Sequence, residues 1–439
     1  MIGRHSILAG SLATLFLAAA ASAQPPRLTN GKVTTQAAGS PLSQSFRTLV
    51  GAQPDVAWVG YSVPVVDGER TMCCFDSNSG TTFVNGVSNG RSCCGACRLE
   101  PSGTETANRT AQPTAPAGPI KLEASSGMVV LFRIAERKVD RIRVFSEDCE
   151  LDAGGRPVIW LNGVRPADSV TLLETFAVLD SDRRNNGPME GAISAIALHA
   201  EPTADAALDR LVAATQPDAV RRKVTFWLGN TRGAHGMATL QRVLKEDPSI
   251  EVRKSAVFGV SQSRESGAFD ALANLARNDP EPRIRSEAIF WISQKNDKRS
   301  SEIILEALEK DAAPEVRKKA VFALSQLKDD AGVSALVSVA KTNSDAGARS
   351  EAIFWLGQKA GAKAASAITD RIDNDPNTEV KKKAVFSLSQ LPPSEGVPLL
   401  INVARTNANR EVRKQAMFWL GQSRDPRALA FFEEILTGK

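Results

Sequence analysis

The most reactive side chains in this 439-residue chain are six cysteines, all in its amino-terminal half: Cys73, Cys74, Cys93, Cys94, Cys97 and Cys149. An even number of thiols in an oxidising compartment points first to a disulfide framework, of which six cysteines allow many connectivities. A bridge between the adjacent Cys73 and Cys74 is sterically awkward, so each would reach elsewhere. Two other chemistries fit the spacing. Cys94-Gly-Ala-Cys97 has the C-x-x-C arrangement of thiol exchange, in which a thiolate attacks and its neighbour resolves. Cys73, Cys74, Cys94 and Cys97 could instead close a four-thiolate zinc site. No thioredoxin-like βαβ pattern surrounds the motif, and a zinc site would leave Cys93 and Cys149 to pair separately.

Other catalytic constellations are thin. Beyond the first residues only His199 and His235 occur, which speaks against a histidine triad or histidine metal centre. There is no Gly-x-Ser-x-Gly elbow and no phosphate-binding glycine loop. The acidic run Glu147, Asp148, Glu150, Asp152 precedes Ala153-Gly154-Gly155, but its glycine is misplaced for a helix-loop-helix calcium loop. A turn with a disulfide at Cys149 is the simpler reading, and no cofactor is expected.

The compartment follows from the amino terminus. Arg4 and His5 precede an apolar run from Ile7 to Ala21, and Ala21-Ser22-Ala23 is a small-x-small cleavage site. These features predict a signal peptide over 1–23, cleaved after Ala23, and a periplasmic or secreted protein. The run is short of the ~20 residues that span a bilayer, so membrane insertion is not expected. Net charge is only +5, from 54 basic and 49 acidic side chains interspersed along the chain, which gives little pull toward nucleic acid.

Behind the cysteines stand elements of two textures. Residues 24–45 are polar and read as a flexible leader. From 46 to 186 short apolar runs with strand character, "VAWVGYSVPVV", "MVVLFRIAE", "VDRIRVFS" and "RPVIWLNGV", alternate with Gly, Pro and Asn, and "PADSVTLLETFAV" reads as a helix. The Thr-, Ala- and Pro-rich stretch 104–119 reads as a loop. Together they predict a small β-rich domain that the cysteines would staple.

From 187 to 439 the chain repeats. Phe226, Phe258, Phe290, Phe322, Phe354, Phe386 and Phe418 are each 32 residues apart, and a fixed period of this size marks a solenoid of stacked units. Each unit contains two amphipathic runs around a polar turn, a helical hairpin. The residue after each Phe alternates between large and small: Trp227, Gly259, Trp291, Ala323, Trp355, Ser387, Trp419. The true repeat is therefore a 64-residue pair, with each Trp expected over the small residue of the next unit. A Gly or Ser column (Gly229, Ser261, Ser293, Ser325, Gly357, Ser389, Gly421) would permit close helix approach. Glu287, Lys319, Glu351 and Lys383 alternate in charge and are expected to pair between neighbours.

A basic column runs through Arg221, Arg253, Arg285, Arg317, Arg349, Lys381 and Arg413. Six residues before six of these lie Asp247, Asp279, Asp311, Asn343, Asp375 and Asn407. An acidic or amide column ahead of a basic one is read as a structural ladder along the stack rather than a phosphate-binding stripe. The Gln column (Gln262, Gln294, Gln326, Gln358, Gln390, Gln422) is read as a stacking or capping device. Segment "EGAISAIALHA" falls one period before Phe226 but lacks the Phe, and reads as an amino-terminal cap that brings the array to about eight hairpins.

The Asp-x5-Arg spacing, the paired helices and the "AxxxLG" or "AxxxLS" ends of the first helices resemble HEAT repeats, specifically the compact bacterial units of the phycobilisome-lyase type, over about Met189 to Lys439. Lyase activity does not carry over with that scaffold. The resemblance implies that the second helices line a concave face, where one drifting position reads Lys245, Arg277, Glu309, Lys341, Asp373, Arg405. The whole is expected to be an α+β multidomain chain: an extracytoplasmic scaffold, not an enzyme, whose solenoid holds a protein or peptide partner. The alternative is a thiol-redox or zinc-dependent enzyme using Cys94 and Cys97, with the solenoid recruiting its substrate.

Overall fold

The computed structural model of the chain describes residues 25–67, 97–100, 126–178, 187–328, 330–359 and 362–438. The expectations for the signal peptide, the 104–119 loop and Cys73, Cys74, Cys93 and Cys94 lie outside the described residues. The chain forms two compact units, which divide between Ala207 and Leu208.

The first unit runs β1 (Leu28–Thr29), β2 (Val33–Ala37), α1 (Leu42–Gly51), β3 (Ala57–Pro64), β4 (Cys97–Arg98), β5 (Gly127–Ala135), β6 (Lys138–Ser146), β7 (Leu151–Asp152), β8 (Val158–Asn162), α2 (Pro166–Glu174) and α3 (Met189–Leu198). Five strands pair in the order β2-β8-β3-β5-β6, and β1-β7-β4 form a second, smaller sheet. In β5 the residues Met128 to Phe132 are buried without alternation, as a strand covered on both faces requires. One face of the large sheet packs Trp58, Val129, Leu131 and Trp160 against Leu99, Cys149 and Leu151 around the small sheet. The other face carries helices. Phe46 of α1 meets Phe132 edge-on at 4.8 Å between ring centres. A Cβ on Gly191 of α3 would sit 2.2 Å from the Ile142 carbonyl oxygen of β6, so this helix lies backbone-close on its strand.

Two expectations change here. The leader at 24–45 is not a flexible tail: Val33–Ala37 pairs in parallel with Val158–Asn162, and Leu42 begins a helix. Its polarity reflects an edge position, where most side chains face water while the backbone completes the ladder. Helix α3, expected to open the helical array, instead packs on β6 and α2 within the first unit. Its hydrophobicity, with Met189 and Ala192 to Leu198 all buried, is that of a helix covered all round.

After α4 (Thr203–Leu211), the second unit consists of seven hairpins among the described residues. They are α5 (Asp218–Thr231) and α6 (Gly233–Glu246), α7 (Ile250–Gln262) and α8 (Ala268–Asn278), α9 (Pro282–Ser293) and α10 (Ser300–Lys310), α11 (Pro314–Gln326) and α12 (Asp330–Thr342), α13 (Ala346–Lys359) and α14 (Ala362–Asn374), α15 (Thr378–Ser389) and α16 (Pro393–Thr406), and α17 (Arg410–Gln422) and α18 (Pro426–Thr437). Each first helix contacts its own second helix and the neighbouring first helices, two for the inner hairpins and one for α5 and α17. The innermost positions are Val252, Ala256, Val257 and Val260 and their 32-residue equivalents, together with the second-helix column Leu240, Leu272, Ile304, Leu336, Ile368 and Leu400. Among the described residues no helix is long and apolar enough to cross a membrane.

Candidate interaction surface of the helical array

The basic column forms rungs between successive units. Arg221 binds Asp247, Arg253 binds Asp279, Arg285 binds Asp311 and Arg349 binds Asp375, in each case reaching the acid that precedes the first helix of the following unit. The same guanidiniums hold their own inter-unit turns: Arg285 donates to the Asp279 carbonyl at 2.8 Å and Arg349 to that of Asn343 at 2.9 Å. Each acid caps in its turn; the Asp311 carboxylate accepts from the Ala313 amide at 2.8 Å. Burial by itself pushes the Asp311 and Asp375 carboxyls up, but the bonds from Arg285 and Arg349 and from the backbone amides outweigh it and hold both below the usual carboxylate range. Where the next unit supplies Asn343 or Asn407, Arg317 and Lys381 bond, among the described residues, only to carbonyls. Arg413, in the last hairpin, likewise bonds the Asn407 and Ala408 carbonyls. Guanidiniums engaged in this way within the array have little left for a phosphate.

The Phe and Trp columns make a row of rings along the first helices. Phe226 stacks on Phe258, Phe290 on Phe322 and Phe354 on Phe386 at 5.8 to 6.2 Å. At the alternate junctions Trp291 packs on Phe258 at 4.6 Å, Trp355 on Phe322 at 5.2 Å and Trp419 on Phe386 at 5.1 Å. The 64-residue pair therefore has a packing cause, but the indole reaches back to the preceding unit's Phe rather than forward over a small side chain. A small residue beside that Phe is still required: a Cβ on Gly259 already lies 2.4 Å from the Thr225 carbonyl oxygen of the unit before. The rings are half-buried, unlike the Val and Ala columns beneath them.

The alternating charges pair with this row instead of with each other. Glu287 and Glu351 accept from the indole N–H of Trp291 and Trp355 at 2.8 and 3.1 Å. Lys319 and Lys383 sit over the stacked Phe pairs, with Nζ 4.9 and 4.4 Å from the Phe290 and Phe354 ring centres. The helix ends are closed by the Ser and Gln columns. Ser293 Oγ donates to the Phe290 carbonyl at 2.6 Å, and the Gln294 amide donates to that hydroxyl at 3.2 Å, with the same pair at Ser261, Ser325 and Ser389. Two Gly positions of this column do what sequence spacing implied: a Cβ on Gly229 would fall 1.9 Å from the Gly259 carbonyl oxygen and one on Gly357 2.9 Å from the Ser387 Cβ, whereas one on Gly421 meets nothing within 4 Å. Sequence reasoning missed a second small-residue column, Gly236, Ala268, Ser300, Gly332, Ala364 and Gly396, where each second helix starts against the end of the first. A Cβ on Gly332 would lie 2.6 Å from the Leu324 carbonyl oxygen. The 32-residue spacing of those positions was the signal.

The second helices present the drifting column. Lys245, Arg277, Glu309, Lys341, Asp373 and Arg405 are all exposed. Arg277 pairs with Glu306 at 2.8 Å, Arg405 with Glu434, and Asp373 accepts from Asn407. Lys245, Glu309 and Lys341 form no ion pair among the described residues.

In the first unit Cys149 is buried in the sheet core and is disulfide-bonded. Cys97 is described through its backbone, which pairs beside Leu151. A histidine does meet a serine: His199 Nε2 lies 3.0 Å from Ser169 Oγ, which is 2.8 Å from the Tyr61 hydroxyl. All three are fully buried, and burial pushes the Tyr61 phenol up. A buried chain of this kind fastens α2 to β3 and offers no substrate access. Within the acidic run, Glu147 accepts from Ser62 and Asp152 from the Gly154 amide, and among the described residues no cluster of His, Cys, Asp or Glu could hold a metal ion.

Stacked two-helix units whose side chains satisfy one another only across unit boundaries define an α-solenoid. The chain matches the HEAT repeat family over residues 204–293, 269–357 and 365–439, more than half its length, and belongs to it. Among solved structures it is similar to the CpcE–CpcF complex of phycocyanin lyase from Nostoc, at 17% identity over 59% of this chain and 94% of that one with a TM-score of 0.27. It is also similar to human deoxyhypusine hydroxylase, at 16% identity over 61% and 97% with a TM-score of 0.25. Kap95p, solved with RanGDP, is 14% identical over 58% of this chain and 39% of that one, with a TM-score of 0.37. No curated protein matches the chain significantly.

Proposed function

We propose that the chain is a non-enzymatic interaction scaffold acting outside the cytoplasm, whose HEAT array holds a protein or peptide partner. The observation that carries this reading is a division of labour within the array. First helices spend their polar groups on rungs, caps and ring contacts, while second helices hold Lys245, Glu309 and Lys341 exposed and, among the described residues, without an ion pair at one repeat position. Charges that form no ion pair among the described residues, repeated in register along a stack, form a multivalent stripe that an extended partner engages at several points. Arg277 and Arg405 already have acidic neighbours and contribute to spacing of the helices more than to capture. The extracytoplasmic location rests on the basic start, apolar run and Ala21-Ser22-Ala23 site, and disulfide stapling of the first unit on the even cysteine count and the disulfide at Cys149.

The test is cross-linked capture from the native compartment by the cleaved chain and by a Lys245→Glu, Glu309→Lys, Lys341→Glu variant. The variant is expected to keep the thermal transition of the parent and lose the captured species. Identical capture by both removes the second helices from the reading.

A further inference from the structure

We propose a second binding site, in the sheet unit, for a free single-chain anionic amphiphile: an aliphatic tail ending in a carboxylate. Between α1, the turn joining β5 to β6, and the end of α2 lies a cavity of about 630 Å³, a size typical of small-molecule sites. Its walls include Phe46, Val139 and Leu172, all buried, and the half-buried Phe176. Phe46 and Phe176 meet edge-on at 6.2 Å, with Phe132 behind them at 4.8 and 5.8 Å. Val178 at the lip is 54% exposed, an apolar side chain left facing water beside an apolar hollow.

Among the described residues the charged side chains that line the cavity have one sign. Among the described residues Arg47, Arg137 and Lys138 line it and no acidic residue does. Among the described residues none of the three cations forms an ion pair, although carboxylates partner other arginines such as Arg133 and Arg221. Arg137 is held there by the turn itself, in which Glu136 and Arg137 take left-handed backbone angles, φ 52° and 58°. Among the described residues the other polar side chains in the lining are Ser43 and Thr175, a thin set of partners for a sugar or a nucleobase. An apolar hollow rimmed by these cations is complementary to a ligand with a greasy body and an anionic head, and repels one with a cationic head.

The experiment is calorimetric titration of the full chain with decanoate, decan-1-ol and decyltrimethylammonium, below their aggregation limits. Decanoate is expected to bind once per chain, the alcohol at least about tenfold more weakly, and the ammonium more weakly again. Replacing Arg137→Gln together with Lys138→Gln is expected to bring decanoate down to the level of the alcohol while leaving the alcohol unchanged. Leu172→Trp, which fills the hollow, abolishes all binding; if that variant fails to fold, the head-group series on the unaltered chain still decides. Equal affinity for the three head groups overturns the proposal. So does absence of saturable decanoate binding, including the case in which the chain sediments with anionic lipid vesicles but ignores free decanoate.

Discussion

Trp58 and Trp160 are wholly buried in the sheet unit, in surroundings that occur once in the chain. Trp291, Trp355 and Trp419 stand half-buried at 64-residue intervals, each against the Phe of the unit before. The same side chain thus serves two packing regimes. In the sheet unit a ring is surrounded by residues distant in sequence, such as Leu99 and Leu151, so its loss leaves a cavity that nothing repeats or replaces. In the array a ring touches only its neighbours one period away, and its contribution is shared along a row.

That contrast can be broken most directly by truncating one ring of each kind. Trp160→Ala is expected to cost about 3–5 kcal/mol in urea denaturation followed by a probe of the sheet unit. Trp355→Ala is expected to cost no more than about 2 kcal/mol, because its ring is already partly in water. Equal losses would mean the aromatic row is as critical as the sheet core.

A sharper comparison lies between rungs. Arg349 and Asp375 form a buried pair with side chains 9% and 0% exposed, so Arg349→Leu, which strands a buried carboxylate, is expected to cost about 3 kcal/mol or more. Arg317 bonds, among the described residues, only to carbonyls, and Arg317→Leu is expected to cost about 1 kcal/mol. The acid response distinguishes the same rungs. The Asp311 and Asp375 carboxyls titrate below their unfolded value, so their stabilisation is complete above about pH 5 and is lost as the pH falls through and below the ordinary value of about 3.9. Asp375→Asn is expected to flatten the acid limb of the stability–pH curve; an unchanged slope would show that the rung is not titrating.

Two glycines of one column differ in sign, and the second gives the smallest effect. Gly229→Ala drives a methyl into the Gly259 backbone and is expected to lower stability by about 1–3 kcal/mol. Gly421 belongs to the same column, yet a Cβ there meets nothing within 4 Å, and Phe418 beside it is 54% exposed. Gly421→Ala should raise stability by up to about 1 kcal/mol through helix propensity, read as a shift in the thermal transition. A loss at Gly421 would argue that the last hairpin packs against something further.

Much of the array was legible because its contacts are local and periodic. Residues that meet in space recur at one interval, so a column of Phe, Arg or Gly in the text is a column in the stack. What spacing could not supply was direction. It showed that Trp alternates with a small residue, but not that the indole reaches back to the preceding Phe. It showed Glu and Lys in register, but not that one would hold an indole N–H and the other cover two phenyl rings. The sheet unit was legible element by element and not beyond. Strands such as Met128–Phe132 declared themselves by composition, but the pairing of Val33–Ala37 with Val158–Asn162 joins segments far apart in sequence, and no local pattern encodes such a pairing. The cavity between α1 and α2, whose three cations form no ion pair among the described residues, exists only because helices from opposite ends of that unit converge on one sheet face.

By itself, then, the sequence determined the repeating architecture: a hydrophobic period of 32, doubled to 64 by ring size, leaves a chain of hairpins only one way to bury its apolar faces. Tertiary structure alone decided which cations are spent and which stay free. Whether a guanidinium finds a carboxylate depends on a few ångströms of approach between segments that the chain order does not bring together.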